Sequence, residues 1–332
     1  MLIPHSADTP TGQTALTCTQ RGRKSTLTKL FQTSLKGTFC PACAARRNIR
    51  RIRNIYLSLN LFALLDIAYS LLFFDTIHCI GYIFIIIEVS ELISIIMHEL
   101  FHAGAAWLLG GRVFGIQLGV GTPLLRRWIG DVFLGVFAIP LAGFCFAAFP
   151  TRNQIRLRYA LHIFAGPFFH IVVILMYWFI NWAGFSIRTS AWLNFLFIIN
   201  VVALCINLFP LTKIHTPMGI VESDGARLWK LVTNRLKADT LHLGYYLVAA
   251  SFSMQRSRDS KALQEIAEGY SFYPEDEVMR NMYGYMLYRN RRYAECSPIW
   301  RKLVEEEPIE SPNPLLRAIH YNNYAWIMLM HK

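Results

Sequence analysis

The sequence predicts an all-α membrane protein of about four transmembrane helices, with a short strand-like or re-entrant insertion and a C-terminal α-helical repeat domain. Three observations carry this expectation. The 332 residues are 54% hydrophobic and only 16% charged, against roughly 25% charge in a soluble globular domain, so charged groups are too few to coat a water-facing surface. Four apolar runs approach or exceed the roughly 20 residues that a helix needs to cross a hydrocarbon core. Beyond those runs the chain turns polar, and similar residues recur at a spacing of 34. Together these features exclude a disordered chain, a secreted disulfide scaffold and an ordinary soluble enzyme.

Residues 1–54 are expected to form a basic cytoplasmic N-terminal segment. They hold ten Lys or Arg against a single acid, Asp8, and so carry +9 of the net charge of +12. This block runs directly into an apolar stretch, which the positive-inside rule reads as a cytoplasmic flank; no nucleic-acid partner is expected. Its Ser and Thr content and scarcity of acids are also those of an organelle transit peptide. Cys40-Pro-Ala-Cys43 has the spacing of half a zinc knuckle, but no second such pair completes four ligands, and reduced thiols are the simpler reading.

The apolar runs are Ile55–Phe74, about Ile80–Leu109, Tyr159–Ile180 and about Ser190–Leu208. Between the second and third lies 110–158, rich in Gly and Pro and too broken for a simple helix. That connection carries six arginines, whereas 75–79 has none and 181–189 has only Arg188. All basic connections then fall on one side if both termini are cytoplasmic. The expected location is an integral, multi-pass, bacterial-type plasma membrane protein. The transmembrane core is assigned to 55–230.

The second run carries Glu88, Glu91, His98, Glu99 and His102 in otherwise apolar sequence. An ionisable group in lipid costs a few kcal/mol or more unless it faces protein, water or a partner. Glu91, Ser94, His98 and His102 follow one another at spacings of three, four and four, which puts them on one helical face. His98-Glu-Leu-Phe-His102 is an HExxH sequence. Its two histidines lie one turn apart and reach one metal ion together, while Glu99 stands beside it as a general base for water. The metal expected is one Zn2+ per site. A chance HExxH would seldom fall within a hydrophobic helix, although a buried polar cluster that merely ties helices together would look the same.

Further motifs extend the pattern. His98 to Val113 reads HELFHAGAAWLLGGRV, followed by Leu118-Gly-Val-Gly-Thr-Pro-Leu-Leu-Arg-Arg127, Ile139-Pro-Leu-Ala-Gly143, Ala165-Gly166-Pro167, Asn207-Leu-Phe-Pro210 and Ser223-Asp224-Gly225. In this order they resemble the site-2 protease family, the intramembrane zinc metalloproteases, over about 80–230. The resemblance implies that Asp224 is the third metal ligand beside His98 and His102. Asn207 is expected either to hold a substrate strand or to cap the helix end. The gap between Pro210 and Asp224 is longer than in many relatives, which leaves Glu222 and His215 as alternative ligands. His170, where relatives often carry Asn, is expected to hydrogen-bond inside the bundle. Asp66 is expected to be paired there, and Glu88 and Glu91 either line a water route or satisfy their neighbours.

From 231 to 332 the chain is expected to form a cytoplasmic helical domain. Ala262 and Cys296, Ile266 and Trp300, and Pro274 and Pro308 are each 34 residues apart, the period of tetratricopeptide repeats. Ala250, Gly284 and Ala318 keep the same period. Such a tail would bind a peptide or protein ligand, although an irregular helical domain remains open. The expected function is zinc-dependent endopeptidase cleavage in or near the transmembrane helix of a membrane-protein substrate, as in regulated intramembrane proteolysis. The alternatives are a catalytically idle membrane adaptor that recruits a partner through the repeats, and another metal-dependent membrane enzyme with more histidines than this chain shows.

Overall fold

The computed structural model describes residues 16–17, 24–25, 32–34, 37–39, 54–65, 80–184, 191–209, 213–216, 219–306, 321–325 and 328. Cys40, Cys43, Asp66, Pro210, Pro308 and Ala318 lie outside them. The chain divides into two compact units, Met1–Ile85 with Lys213–Glu222, and Ile86–Thr212 with Ser223–Lys332. In the first unit, β1 (Leu16–Thr17) pairs with β2 (Lys24–Ser25), and β3 (Gln32–Ser34) with β4 (Gly37–Phe39), both antiparallel. The apolar helix α1 (Asn54–Leu65) follows.

The next helix, α2 (Ile80–Leu108), carries the HExxH sequence. Two glycines end it. Gly110 sits in the left-handed region at φ 74°, which costs glycine least, and the Gly111 N–H donates back to the Ala106 carbonyl at 2.7 Å. That bond closes the last turn as in a Schellman motif. The chain leaves as β5 (Arg112–Ile129) and returns as β6 (Val132–Ala148). Their antiparallel register runs from Arg112↔Ala148 to Leu118↔Gly143, and again from Leu125↔Val136 to Ile129↔Val132. Between these stretches, residues 115–118 also lie beside 133–136, both rising together from Gly115↔Phe133 to Leu118↔Val136. Residues 115–118 are therefore flanked on both sides. The register shifts that allow this surround Gly119 and Gly121, at φ 82° and 96°.

Helices α3 (Ile155–Trp182) and α4 (Ala191–Leu208) follow. The hairpin β7 (Lys213–Thr216) and β8 (Gly219–Glu222) belongs to the first unit. Helix α5 (Asp224–Val232) begins at an N-cap, Ser223, whose hydroxyl accepts the Ala226 N–H at 3.3 Å and donates to the Phe209 carbonyl at 2.8 Å. A Cβ on Gly225 would collide with the Leu208 carbonyl. Ser223 thus caps α5 and ties it to the end of α4, while Gly225 allows that close approach, with Asp224 held between them.

Among the described residues, the second unit continues with α6 (Ala238–Gln255), α7 (Asp259–Phe272), α8 (Glu277–Arg289) and α9 (Tyr293–Glu306), and residues 321–325 are helical as well. Two of the residue pairs spaced by 34 fall in its core: Ala262, Cys296, Ile266 and Trp300 are all buried in one cluster. The Trp300 indole Nε1 lies where a Cβ on Gly284 would come within 2.6 Å. A second core gathers Ala106 of α2, Phe114 of β5, Phe149, Ile163 of α3, Leu231 of α5 and Ala249 of α6. The tail also grips the strands directly. Phe252 of α6 packs on Phe114, Trp128 and Phe146, with ring centroids 5.6, 6.1 and 5.8 Å away. Arg112 pairs with Glu265 at 2.8 Å. Asp131, in the turn between β5 and β6, pairs with Arg256, with Arg258 at 3.0 Å and with Lys261 at 3.8 Å.

The expected fold class requires correction. Among the described residues one helix, Ile155–Trp182, is long and apolar enough to cross a membrane, where about four were expected. Among the described residues, α1 covers Asn54–Leu65 and ranks with the shorter apolar helices, the rest of the first apolar run lying outside them. Helix α4 ranks among the shorter apolar helices. Helix α2 has 29 residues but carries three carboxylates, Glu88, Glu91 and Glu99. The fold is also not all-α. The insertion expected to be short is two strands of 18 and 17 residues. Their β-branched and aromatic residues favour extended pairing, and their glycines supply the shifts in register rather than merely breaking a helix.

Candidate metal centre

Helix α2 turns Ser94, His98 and His102 inward, and all three are buried, as is Glu99. Helix α5 brings Asp224 to the same point from its first turn. The Nε2 atoms of His98 and His102 lie 3.1 Å apart, and each is 3.2 Å from Asp224 Oδ2. The other carboxylate oxygen of Asp224 faces Arg227, 3.9 Å away. Opposite the two imidazoles stands Gly166 of α3, where an added Cβ would come within 2.5 Å of both Nε2 atoms. A missing side chain therefore leaves the room around the cluster.

The proton on His102 can be placed. Its Nδ1 lies 2.7 Å from the carbonyl oxygen of His162, which only accepts, so Nδ1 carries the N–H and a neutral His102 presents a bare lone pair at Nε2. The contact is reciprocated, since His162 Nδ1 lies 3.0 Å from the His102 carbonyl oxygen and donates to it. The Nε2 lone pair then points at a carboxylate oxygen, an acceptor facing an acceptor in a buried site. Such a group calls for a cation at its centre, either a proton on an imidazole or a metal ion. The ligand atoms of His98, His102 and Asp224 lie within 4.8 Å of one another, and this buried group can hold a metal ion.

Glu99 points toward the strands instead. A Cβ on Gly143 of β6 would come within 2.5 Å of Glu99 Oε1, so strand backbone passes directly against the carboxylate. Glu99 Oε2 is buried and has no hydrogen-bond partner among the described residues. An orphaned carboxylate oxygen next to a ligand cluster is a costly arrangement for structure alone, and one suited to receiving a proton.

The other sequence-predicted residues are spread more widely. Asn207, on α4, donates from Nδ2 to the Ala203 carbonyl of its own helix at 3.0 Å. His215 and Glu222 lie on β7 and β8 of the other unit. His170 Nε2 sits 2.9 Å from His98 Nδ1. Of three further neighbours of the cluster, Gly143 was named from the sequence only as the end of a motif, and His162 and Asn200 were not singled out. Gly143 abuts Glu99, His162 holds His102 through its main chain, and Asn200 contacts both His170 at 2.7 Å and Ser94 at 3.1 Å. Asn200 did carry a signal, as an amide in the middle of an apolar helix. The carbonyl of His162 carried none, because a main-chain acceptor has no residue type. Compared with known proteins, the chain matches no family model and no curated protein, so the centre is read from its own geometry.

Proposed function

We propose that the protein is a zinc metalloendopeptidase of the site-2 protease type, cleaving a peptide bond in or near the transmembrane helix of a membrane-protein substrate. The observation that carries this is the cluster of three buried ligand atoms beside a carboxylate with one unpartnered oxygen, with strand backbone lying against it. Tetrahedral zinc with bonds of about 2.0–2.1 Å sets its ligand atoms about 3.3 Å apart, and the separations here are 3.1 and 3.2 Å. Two imidazoles and one carboxylate are also the kind of donor set that catalytic zinc takes, with one position left open. His98, His102 and Asp224 hold the ion. When bound, zinc supplies a Lewis acid that polarises the scissile carbonyl and makes water acidic enough to react near neutrality.

The chain's own groups do the rest. Glu99 Oε2 takes a proton from the attacking water as its oxygen adds to the carbonyl carbon, and delivers that proton to the leaving amine as the C–N bond breaks. The Gly143–Ala148 stretch of β6, next to Glu99, offers an extended substrate a strand edge with which to pair. An unwound substrate exposes its carbonyls there. Helix α3 supports a membrane location, with Leu175, Trp178, Phe179 and Trp182 all exposed along an apolar helix long enough to cross a bilayer. The tail, 231–332, binds a peptide or protein partner.

The test is cleavage of a membrane-protein substrate co-reconstituted with the full chain, with zinc content measured in parallel. Glu99→Gln is expected to keep its zinc and to lose about 10²–10⁴-fold in rate. A Glu99→Gln protein that cleaves at the wild-type rate would remove the assignment of the base. A wild-type chain that holds no zinc would remove the whole reading.

A further inference from the structure

We propose that His170 and Asn200 are positioning residues for the metal ligand His98, fixing its proton so that Nε2 stays free for the ion; this rests on the zinc reading above. The argument runs inward from α4. Asn200 Nδ2 donates to the Leu196 carbonyl of its own helix at 2.7 Å. Its Oδ1 is therefore the acceptor that faces the bundle. It takes the Ser94 hydroxyl at 3.1 Å and His170 Nδ1 at 2.7 Å. A neutral imidazole carries one N–H, and in His170 that N–H is spent on Asn200. His170 Nε2 is then a bare acceptor, 2.9 Å from His98 Nδ1. His98 must donate from Nδ1, which leaves its Nε2 lone pair aimed at Asp224 and the ion.

All four groups are buried, so solvent cannot substitute for any of these bonds. The two ligand histidines are thus held by different means. His102 depends on a main-chain carbonyl, which no substitution at His162 removes. His98 Nδ1 depends on side chains from two further helices, with a main-chain contact to Gly166 elsewhere on its ring. Without an acceptor at 170, the His98 ring gains by placing its proton on Nε2, where the ion must bind. Outer partners of this kind typically change metal affinity by about 10–100-fold.

The experiment is a zinc competition titration of the purified full-length chain against a chromogenic chelator, with the visible spectrum of the cobalt-substituted protein recorded alongside. His170→Leu is expected to weaken zinc binding about 10–100-fold and to alter the cobalt bands. His170→Gln, whose Oε1 reaches close to the lost Nε2, is expected to restore both to near the wild-type values. Asn200→Leu, whose side chain touches no ligand of the ion, is expected to weaken binding by releasing the His170 proton, and it carries the test alone should His170→Leu not be recovered folded. Wild-type affinity in His170→Leu or Asn200→Leu overturns the proposal. So does a His170→Gln protein as weak as His170→Leu. Failure of the wild-type chain to bind zinc is a separate result, and it overturns the metal reading itself.

Discussion

Replacing Gly166 by Ala places a methyl group inside the ligand cluster. Its Cβ would stand within 2.5 Å of the Nε2 atoms of both His98 and His102, whereas ordinary contacts between heavy atoms begin near 3.5 Å. The shortfall is about 1 Å on each ring. Metal–ligand bonds tolerate about 0.2 Å, so the rings cannot absorb it and keep the ion. The other way out is for α3 to withdraw from α2, and such overpacking costs about 1–3 kcal/mol. At 1.4 kcal/mol per tenfold, zinc binding should weaken about 5- to 150-fold. The assay is zinc competition together with thermal unfolding, with and without the metal. Gly104→Ala, on α2 itself, is the control: nothing lies within 4 Å of its added Cβ, and an alanine in mid-helix should stabilise by about 0.5–1 kcal/mol. A Gly166→Ala protein with wild-type zinc affinity and unchanged melting would refute the claim that this residue walls the cluster.

Two further outcomes follow from the tail. Trp300→Ala should cost about 3–5 kcal/mol in tail stability, because the indole is buried against Gly284; chemical unfolding followed by circular dichroism measures it, and a loss under about 1 kcal/mol would contradict the packing. Asp131→Asn should destabilise the fold only slightly, by about 1 kcal/mol or less, since water screens the half-exposed group. Slight burial pushes the Asp131 carboxyl up, but Lys261, Arg258 and Arg256 outweigh it and hold the carboxyl below its ordinary value. The contribution of Asp131 is therefore full above the ordinary carboxylate range and is lost as pH falls through the lower folded-state value. The gap between wild type and Asp131→Asn should close on acidification, and a gap unchanged down to about pH 3 would contradict the ion pairing.

The centre was more legible in the sequence than the fold around it. Two histidines one helical turn apart need only the helix to face the same way, and that geometry is local. Asp224 is 122 residues from His102, and only the motif Ser223-Asp224-Gly225, through its resemblance, pointed to it. The structure supplies the physical reason for that motif, since Ser223 caps the helix and Gly225 makes room for the Leu208 carbonyl. The strands were harder to read. Apolar residues lie on both faces of β5 and β6, and Phe252 of the tail covers one of them, so the alternation that marks a half-exposed strand is blurred. The count of spans failed for a different reason. Apolar composition measures what a helix avoids, not what it faces, and α2 buries its polar groups against α3, α4 and α5.

The strands that pass beside Glu99 are the same strands that Phe252, Glu265 and the partners of Asp131 hold from the tail. One sheet therefore has two neighbours, with the Glu99 carboxylate at Gly143 and the tail helices elsewhere along it. Free energy in such an arrangement is shared in both directions. A molecule that binds the tail more tightly when the sheet is in its strand-accepting arrangement must, by the same factor, tighten the hold on a strand at the centre. The converse also holds, so an extended peptide at Gly143 would be felt as a change in affinity at the tail. Under the proposed function, that reciprocity would be measurable from either end, as a shift in affinity at the tail or at the centre.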